Sequence, residues 1–162
     1  MAMPTALDPL DDPSHDTLHG FHNNVKAFGA TGDGSTDDHD ALQAALDEGG
    51  TVYVPSGTYL TSAGLTLPDG VRLIGASPTT SIIAPHASFS GTALLYAERR
   101  DNDTPNNYER VTIQSLKLGA PSSSSEFYAL DMTGMRESEV RFVWFNGSGP
   151  GAANMPRFGC RT

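Results

Sequence analysis

The feature that most constrains this chain is a change of apolar period at Gly50. Before Gly50, the apolar side chains of residues 39–48 recur with the 3.6-residue period of a helix. After it they alternate every second residue, in short β-branched segments separated by Gly, Pro, Ser, Asp and Asn. The segments that this alternation predicts as strands are 51–62, 65–77, 80–85, 92–98, 110–119, 128–134 and 138–147. No helical pattern interrupts them, so the sequence predicts an all-β fold after one helix.

The strand segments also repeat, at intervals of about 20 residues with larger steps where loops are inserted. Successive repeats begin at Val52/Val54, Val71/Leu73, Leu94/Tyr96, Val111/Ile113, Leu130/Met132 and Val140/Phe142. Degenerate repeats of this length are typical of stacked β-solenoid coils, in which each coil buries small and aliphatic side chains against the next. The spacing therefore predicts a stack of about five coils.

Residues 24–50, "NVKAFGATGDGSTDDHDALQAALDEGG", precede the first repeat. "NVKAFG" is predicted as a short strand, and Gly29, Gly32 and Gly34 allow sharp turns after it. Asp37 or Asp38 is suited to cap the following helix at its N-terminus. Ala41, Leu42, Ala45 and Leu46 form one apolar stripe along this helix, which Gly49 and Gly50 end.

The same stretch carries a resemblance to a known family. The elements "FGATGDG", "TDD" leading into "ALQAAL", "GGTVYVPSGTYL" and "VRLIGAS" resemble the N-terminal signature of the pectate-lyase superfamily, over residues 24 to about 85. That family includes polysaccharide lyases, glycoside hydrolases and phage tail spikes built on a right-handed, single-stranded parallel β-helix. The resemblance implies that residues 24–50 cap the β-helix, with Leu42 and Leu46 facing the first coil and Asp40, Gln43 and Asp47 facing water. A solenoid needs such a unit because its first coil otherwise exposes a strand edge and an apolar cross-section.

Four regions follow from these patterns. Residues 1–23 are predicted as an N-terminal arm with a short helix, 24–50 as the strand and capping helix, 51–147 as β-helix coils, and 148–162 as an irregular tail. No helix or polar capping unit is readable after "WFNGSG". We therefore expect either that the coils continue beyond this sequence or that another chain covers the open end.

The aspartates of "GATGDGSTDD" invite a cation-loop interpretation. An EF-hand places its glycine at the sixth position and a glutamate at the twelfth, and here the glycines come too early and the aspartates too late. A phosphate loop would need a lysine after the glycines, and none is present. Turn and cap geometry is the better interpretation.

A second metal candidate is the trio His15, His19 and His22, which share one face if residues 14–22 are helical. Polar contacts of a docking helix are the preferred interpretation of these histidines, and no cofactor is predicted.

Glycan cleavage usually needs two carboxylates roughly 5 to 10 Å apart. The longest polar insertion, "AERRDNDTPNNYER", supplies the catalytic candidates Glu98, Arg99, Arg100, Asp101 and Asp103. Asp131, Glu137 and Glu139 are further carboxylate candidates. No active-site motif of the resembled family is present, so no catalytic residue is assigned, and solvated loop charges remain the simpler interpretation.

Aromatic residues supply the candidates for sugar binding. Phe142 and Trp144 are predicted on one face of a strand, with Val143 and Phe145 on the other. Trp144 and Tyr96 are the carbohydrate-binding candidates, because an exposed ring can stack on a sugar. A place in the core or in a subunit contact is the preferred alternative for the Trp144 face.

The function that these observations favour is that of a phage virion structural protein. The net charge of −9 excludes a basic nucleic-acid surface, and no apolar run is long enough to span a membrane. Residues 1–23 look similar to the attachment segments of phage tail fibres and tail spikes, and no signal peptide is readable. We therefore expect a virion-located tail spike or tail fibre that docks to other tail proteins through residues 1–23. A homotrimer that contacts a host-surface glycan is expected. The alternatives are a secreted polysaccharide lyase or glycoside hydrolase, and a non-catalytic carbohydrate-binding β-helix.

Overall fold

The computed structural model describes residues 23–97, 110–120, 127–132 and 137–147. One α-helix, α1, spans His39–Asp47, and a 3-10 turn spans Val25–Phe28. The strands are β1 Asn23–Asn24, β2 Asp33–Asp37, β3 Thr51–Val54, β4 Gly57–Leu67, β5 Arg72–Gly75, β6 Ser81–Ala97, β7 Thr112–Gln114, β8 Lys117–Ala120, β9 Tyr128–Asp131, β10 Glu139–Arg141 and β11 Trp144–Gly147. No helix within these ranges is long and apolar enough to cross a membrane.

The described strands form two sheets, and all the strand pairings within each sheet are parallel. One sheet has the order β1-β3-β5-β7-β10 and the other β11-β8-β6-β4-β2, with β9 also paired to β6. Apart from β9, which follows β8 in the same sheet and pairs with β6, the chain alternates between the sheets, and each return adds a strand beside the preceding one. This arrangement confirms the expected all-β parallel fold.

The core lies between the sheets and is built from ladders of residues in register. Val52, Leu73 and Ile113 pair across the first sheet, and Tyr59, Ile83, Leu118 and Phe145 pair across the second. All but Phe145 are fully or almost fully buried, and Phe145 packs against the cluster they form. Since side chains alternate along a strand, the residues between them point outward and line the outer faces.

Two long strands each run along two parts of the second sheet. The pairing of β4 with β6 shifts register between Thr61 and Leu65, which divides both strands. The first half of β6 also pairs with β8, and its second half pairs with β9. In the second half, Leu65, Leu95 and Leu130 form a buried ladder across β4, β6 and β9.

The strand boundaries correct several predictions. "NVKAFG" forms a 3-10 turn where a strand was predicted, and Gly29 ends it with φ 101°. The stretch Asp33–Asp37, predicted as a turn, is a strand that pairs with β4. Residues 86–91, expected to be a loop, belong to β6, whereas residues 68–71 leave the strand that was predicted there. Short stretches rich in Gly, Ser and Asp lack the apolar alternation that marks a strand, so ladder pairing decided these segments.

Helix α1 buries the stripe that the sequence predicts. Leu42, Ala45 and Leu46 are buried, while Asp40 and Asp47 are exposed. Gln43 does not simply face water as expected. Its side-chain amide accepts a hydrogen bond from the Thr66 N–H (2.9 Å) and donates one to the Thr66 carbonyl (3.1 Å). The helix thus contacts the second half of β4 both by apolar packing and by a strand-like pair of hydrogen bonds.

Candidate functional site

The aspartates before α1 accept hydrogen bonds mainly from backbone N–H groups. Asp38 is the N-cap residue and is buried, yet its side chain makes no capping bond to the helix. It accepts hydrogen bonds from the N–H groups of Thr31 (2.6 Å) and Gly32 (3.0 Å) instead. The N–H of the first helical residue, His39, donates to the Asp37 carboxylate, which also accepts from the Ser62 N–H. Asp38 therefore occupies the N-cap position, whereas the side chain that accepts from the first helical N–H is that of Asp37.

The same bonds set the acidity of this loop. Hydrogen bonds from the backbone of Thr36 and Ser35 and from the Thr36 hydroxyl hold the pKa of Asp33 well below its usual range. Burial opposes ionisation of Asp37, but bonds from Ser62 and His39 and the nearby His86 outweigh it and lower its pKa. Both groups are therefore stabilised as carboxylates within the fold.

Gly32 and Gly34 in this loop adopt φ 65° and 75°, the left-handed region that favours glycine. Among the residues that the structure describes, no group of three His, Cys, Asp or Glu side chains is placed to hold a metal ion. His15, His19 and His22 lie outside the described residues, as do Glu98, Arg99, Arg100, Asp101 and Asp103.

A groove of about 480 Å³ lies on the outer side of the second sheet, within the range of small-ligand sites. It runs across the second halves of β4 and β6 to β9. Its lining residues are Ala63, Gly64, Ser90, Gly91, Thr92, Ala93, Tyr96, Ala97 and Asp131. Most of these side chains are small, so Tyr96 and Asp131 are the bulky and charged features of the groove.

Tyr96 is positioned by its neighbours on both sides. It lies in register between Thr66 and Asp131, and the Thr66 hydroxyl donates a 3.1 Å hydrogen bond to the Tyr96 hydroxyl. A side chain at Gly64 would overlap the Ala93 carbonyl oxygen and come within 2.8 Å of the Tyr96 ring. The glycine therefore lets the ring lie close to the floor of the groove.

The groove's chemistry is that of hydrogen bonding and ring contact. Ser90, Thr92 and Tyr96 offer hydroxyl groups, and Asp131 is the one carboxylate among the lining residues of the described chain. Glu139 is engaged by Arg141 in an ion pair on β10, part of the other sheet. The described groove can bind polar groups and supply one acid or base, but the pair of carboxylates used by most glycosidases is not assembled among its described residues.

The second candidate region is aromatic. Val143 and Phe145 pack against the core, whereas Trp144 is 54% exposed and Phe142 is 71% exposed. The core alternative for these two rings is therefore wrong. Phe142 is also not part of a strand, since it lies between β10 and β11 with φ 51°.

Sequence reasoning missed two residues that shape these regions. Gly64 could have been noticed as an isolated glycine within a strand pattern, which often marks a close backbone approach. Gln43 carries no such signal, because a polar residue on an amphipathic helix is normally assigned to the solvent face.

Two parallel sheets that grow by one strand at each pass define the chain as an all-β protein of repeated parallel strands. A family model described as "Rhamnogalacturonase A/epimerase, pectate lyase-like" matches residues 22–150, and the chain belongs to this family. The resemblance to the pectate-lyase superfamily is thereby confirmed.

Named relatives fall into two groups. The chain is 36% identical over 126 residues to the preneck appendage protein of Bacillus phage PZA and 35% identical to the pre-neck appendage protein of Bacillus phage phi29. It is 36% identical over 149 residues to the mannuronan C5-epimerase AlgE6 of Azotobacter vinelandii. These alignments cover 77% of this chain for each phage protein and 83% for the epimerase, but only 14% of each phage protein and 15% of the epimerase.

Solved structures give the same likeness. The pre-mature bacteriophage phi29 gene product 12 matches 75% of this chain and 17% of its own, with 29% sequence identity and a TM-score of 0.61. The Geobacillus virus E2 ORF18 structure shares the fold, with a TM-score of 0.54 at 22% identity over 90% of this chain and 29% of that one. The chain thus corresponds to a minor part of the length of these relatives.

Proposed function

We propose that this chain is part of a phage virion appendage, located on the particle and associated with other virion proteins. The observation that carries this proposal is the identity of 36% and 35% over 126 residues with two phage appendage proteins. The likeness to the phi29 gene product 12 structure, at a TM-score of 0.61, supports it independently of the alignment.

The architecture of this appendage segment is a right-handed parallel β-helix of about five coils, of which α1 is the N-terminal cap. The alternation of the chain between two parallel sheets supports the coil arrangement. The buried faces of Leu42 and Leu46, and the bonds from Gln43 to Thr66, support the capping role. A helix placed in this way blocks the strand edge that an incoming chain would otherwise pair with.

Residues 1–23 form the arm that docks to the particle, ahead of the capped segment 24–50, the coils 51–147 and the tail 148–162. The assembled protein is a tail-spike or tail-fibre type homotrimer that contacts a host-surface glycan. The arm and the tail lie outside the described residues, so this part of the proposal comes from sequence.

Deleting residues 1–23 tests the docking role. The truncated chain should no longer be incorporated into particles but should keep the β-sheet circular dichroism signal of the full chain. A full-length chain with Asp47→Ala, an exposed change on α1, is the matched control and should be incorporated normally. Incorporation of the truncated chain would refute the docking role of the arm.

A second function is favoured by the groove: cleavage or epimerisation of a polysaccharide. The observation behind it is the placement of Tyr96 beside Asp131, together with the 36% identity to a mannuronan C5-epimerase. A tyrosine and a carboxylate can act as an acid and base pair on a sugar ring. If the chain has this activity, Asp131→Asn and Tyr96→Phe should each abolish product formation from mannuronan, whereas Glu139→Gln should leave it unchanged. No product from the unaltered chain would remove this function.

A further inference from the structure

Trp144 stands on an outward-facing row of the second sheet, away from the groove. It lies in register with Lys117 on β8, which in turn is in register with Ile82 on β6. The residues that flank Trp144 pack inward, so its indole points to the outside and remains 54% exposed. Neighbouring strands lie about 4.8 Å apart, so Lys117 and Trp144 are adjacent residues on the same outer face of the sheet.

Phe142 lies two residues before Trp144, in an unfavourable backbone conformation. Its φ of 51° is in the left-handed region, which a bulky residue rarely adopts. The equivalent corner of the preceding coil holds Ser115, a small residue with φ 56°, whose N–H donates to the Arg141 carbonyl. The Phe142 ring gains little packing in return, since 71% of it is exposed. The left-handed conformation therefore belongs to this corner, and the exposed ring of Phe142 is what distinguishes it from the preceding one.

We call the exposed pair Phe142 and Trp144 the aromatic ledge. The ledge covers less area than a complete subunit interface. These are the two large hydrophobic side chains that are exposed among the described residues, and together they can bury roughly 300 Å². A specific protein interface buries roughly 800 Å² on each partner. The area of the ledge matches a ligand the size of one or two sugar rings.

Charge selects the kind of sugar. Arg141 is paired with Glu139, and no ion pair joins Lys117 to a carboxylate of the described residues. A cation beside an exposed indole, on a chain with a net charge of −9, is a local site for a negatively charged group. An acidic sugar can stack its ring on Trp144 while its carboxylate accepts a hydrogen bond from Lys117.

We propose that the aromatic ledge and Lys117 form a non-catalytic binding site for an acidic glycan. This inference rests on the proposed contact with a host-surface glycan and names its chemical class. Phe142 precedes β11, Trp144 is on β11 and Lys117 is on β8. The groove is lined by the second halves of β4 and β6 and by β9, so the two regions share no residue.

The test is calorimetric titration of the purified full chain with mannuronate hexamers and, in parallel, with a neutral glucan hexamer. The acidic hexamer should bind more tightly, and its affinity should fall as salt is added. Trp144→Ala should weaken that binding about tenfold or more, and Lys117→Gln should remove the preference for the acidic hexamer. Phe142→Gly should weaken binding without lowering the stability of the fold.

Lys26→Gln, the same change of charge at an exposed position outside the ledge and the groove, is the matched control and should leave this affinity unchanged. Equal binding of the two hexamers, no binding of either, or full affinity in the Trp144→Ala variant would each overturn the site. A Trp144→Ala variant whose mass in light scattering differs from that of the unaltered chain would assign the ledge to a subunit contact instead. Because the titration uses isolated protein, it fails or succeeds independently of incorporation into particles.

Discussion

At the scale of single residues, Tyr59 shows how the glycine-rich opening shapes the core. Its ring is fully buried, and a side chain at Gly32 would come within 2.7 Å of that ring. On its other side, a side chain at Gly57 would lie 3.2 Å from the ring. The glycines therefore provide turn conformations and, in addition, room for an inward tyrosine.

The Tyr59 hydroxyl is the exception in this core, because it is buried and has no hydrogen-bond partner among the described residues. Burial, with the Asp38 carboxylate and Tyr53 nearby, raises the pKa of Tyr59 to about 12. An unsatisfied buried hydroxyl contributes nothing to stability and costs its lost hydration.

We therefore expect Tyr59→Phe to leave the free energy of unfolding unchanged or to raise it by about 1 kcal/mol. Urea denaturation at pH 7 measures this, with Gly32→Ala as the contrasting variant. Gly32→Ala should destabilise the fold, because it strains a backbone at φ 65° and crowds the same ring. A loss of about 2 kcal/mol or more in Tyr59→Phe would show that the hydroxyl has a partner.

At the scale of elements, α1 joins the strand stack through an amide that acts like a neighbouring strand. Gln43 both donates to and accepts from the backbone of Thr66, and a third bond holds it to Asp47 at 2.7 Å. Glutamine is suited to this because it carries a donor and an acceptor on one planar group. The apolar stripe alone would fix the helix on the core without fixing its position along the strand.

Gln43→Ala should lower the free energy of unfolding by about 1–2 kcal/mol, because it leaves the part-buried Thr66 backbone without these bonds. Asp47→Ala is the matched control on the same helix. It removes one exposed bond and should cost less than about 0.5 kcal/mol. Equal effects of the two changes in urea denaturation would contradict the role given to Gln43.

The loop before α1 predicts sensitivity to acid. The pKa values of Asp33 and Asp37 are lower in the folded chain than the ordinary value near 4, so the folded state favours their ionised forms. Their contribution to stability is fully present above that ordinary value and is lost as the pH falls through the folded values. Urea midpoints should therefore drop below about pH 4, and Asp37→Asn should make that drop smaller. An unchanged acid profile in Asp37→Asn would contradict this assignment.

The elements also show what the sequence could and could not predict. Period-two alternation and the helical stripe identify β3, β5 and α1, because each buries one face against a single core. The strand Asp33–Asp37 is exposed along its length and is held by pairing with β4, so no apolar pattern marks it. The groove is predictable only in its components, since Tyr96 and Asp131 are brought together by a register between strands that the sequence does not state.

At the scale of the whole molecule, the parallel ladders connect each strand mainly to its neighbours in the same sheet. Stability in such a stack is approximately a sum of neighbouring contacts, so its first coil needs a partner that the later coils find in one another. In the proposed β-helix, α1 is that partner. The outer faces are then free for the groove and the aromatic ledge, which lie on different strands and can bind independently.

The central claim is that the chain is carried on a phage particle as part of an appendage. Immunogold electron microscopy of purified particles, with an antibody raised against residues 23–97, tests it most directly. Particles that carry the unaltered chain should be labelled at an appendage, and particles lacking the gene for the chain should not. Unlabelled particles, with the chain recovered only in the particle-free fraction, would contradict the claim.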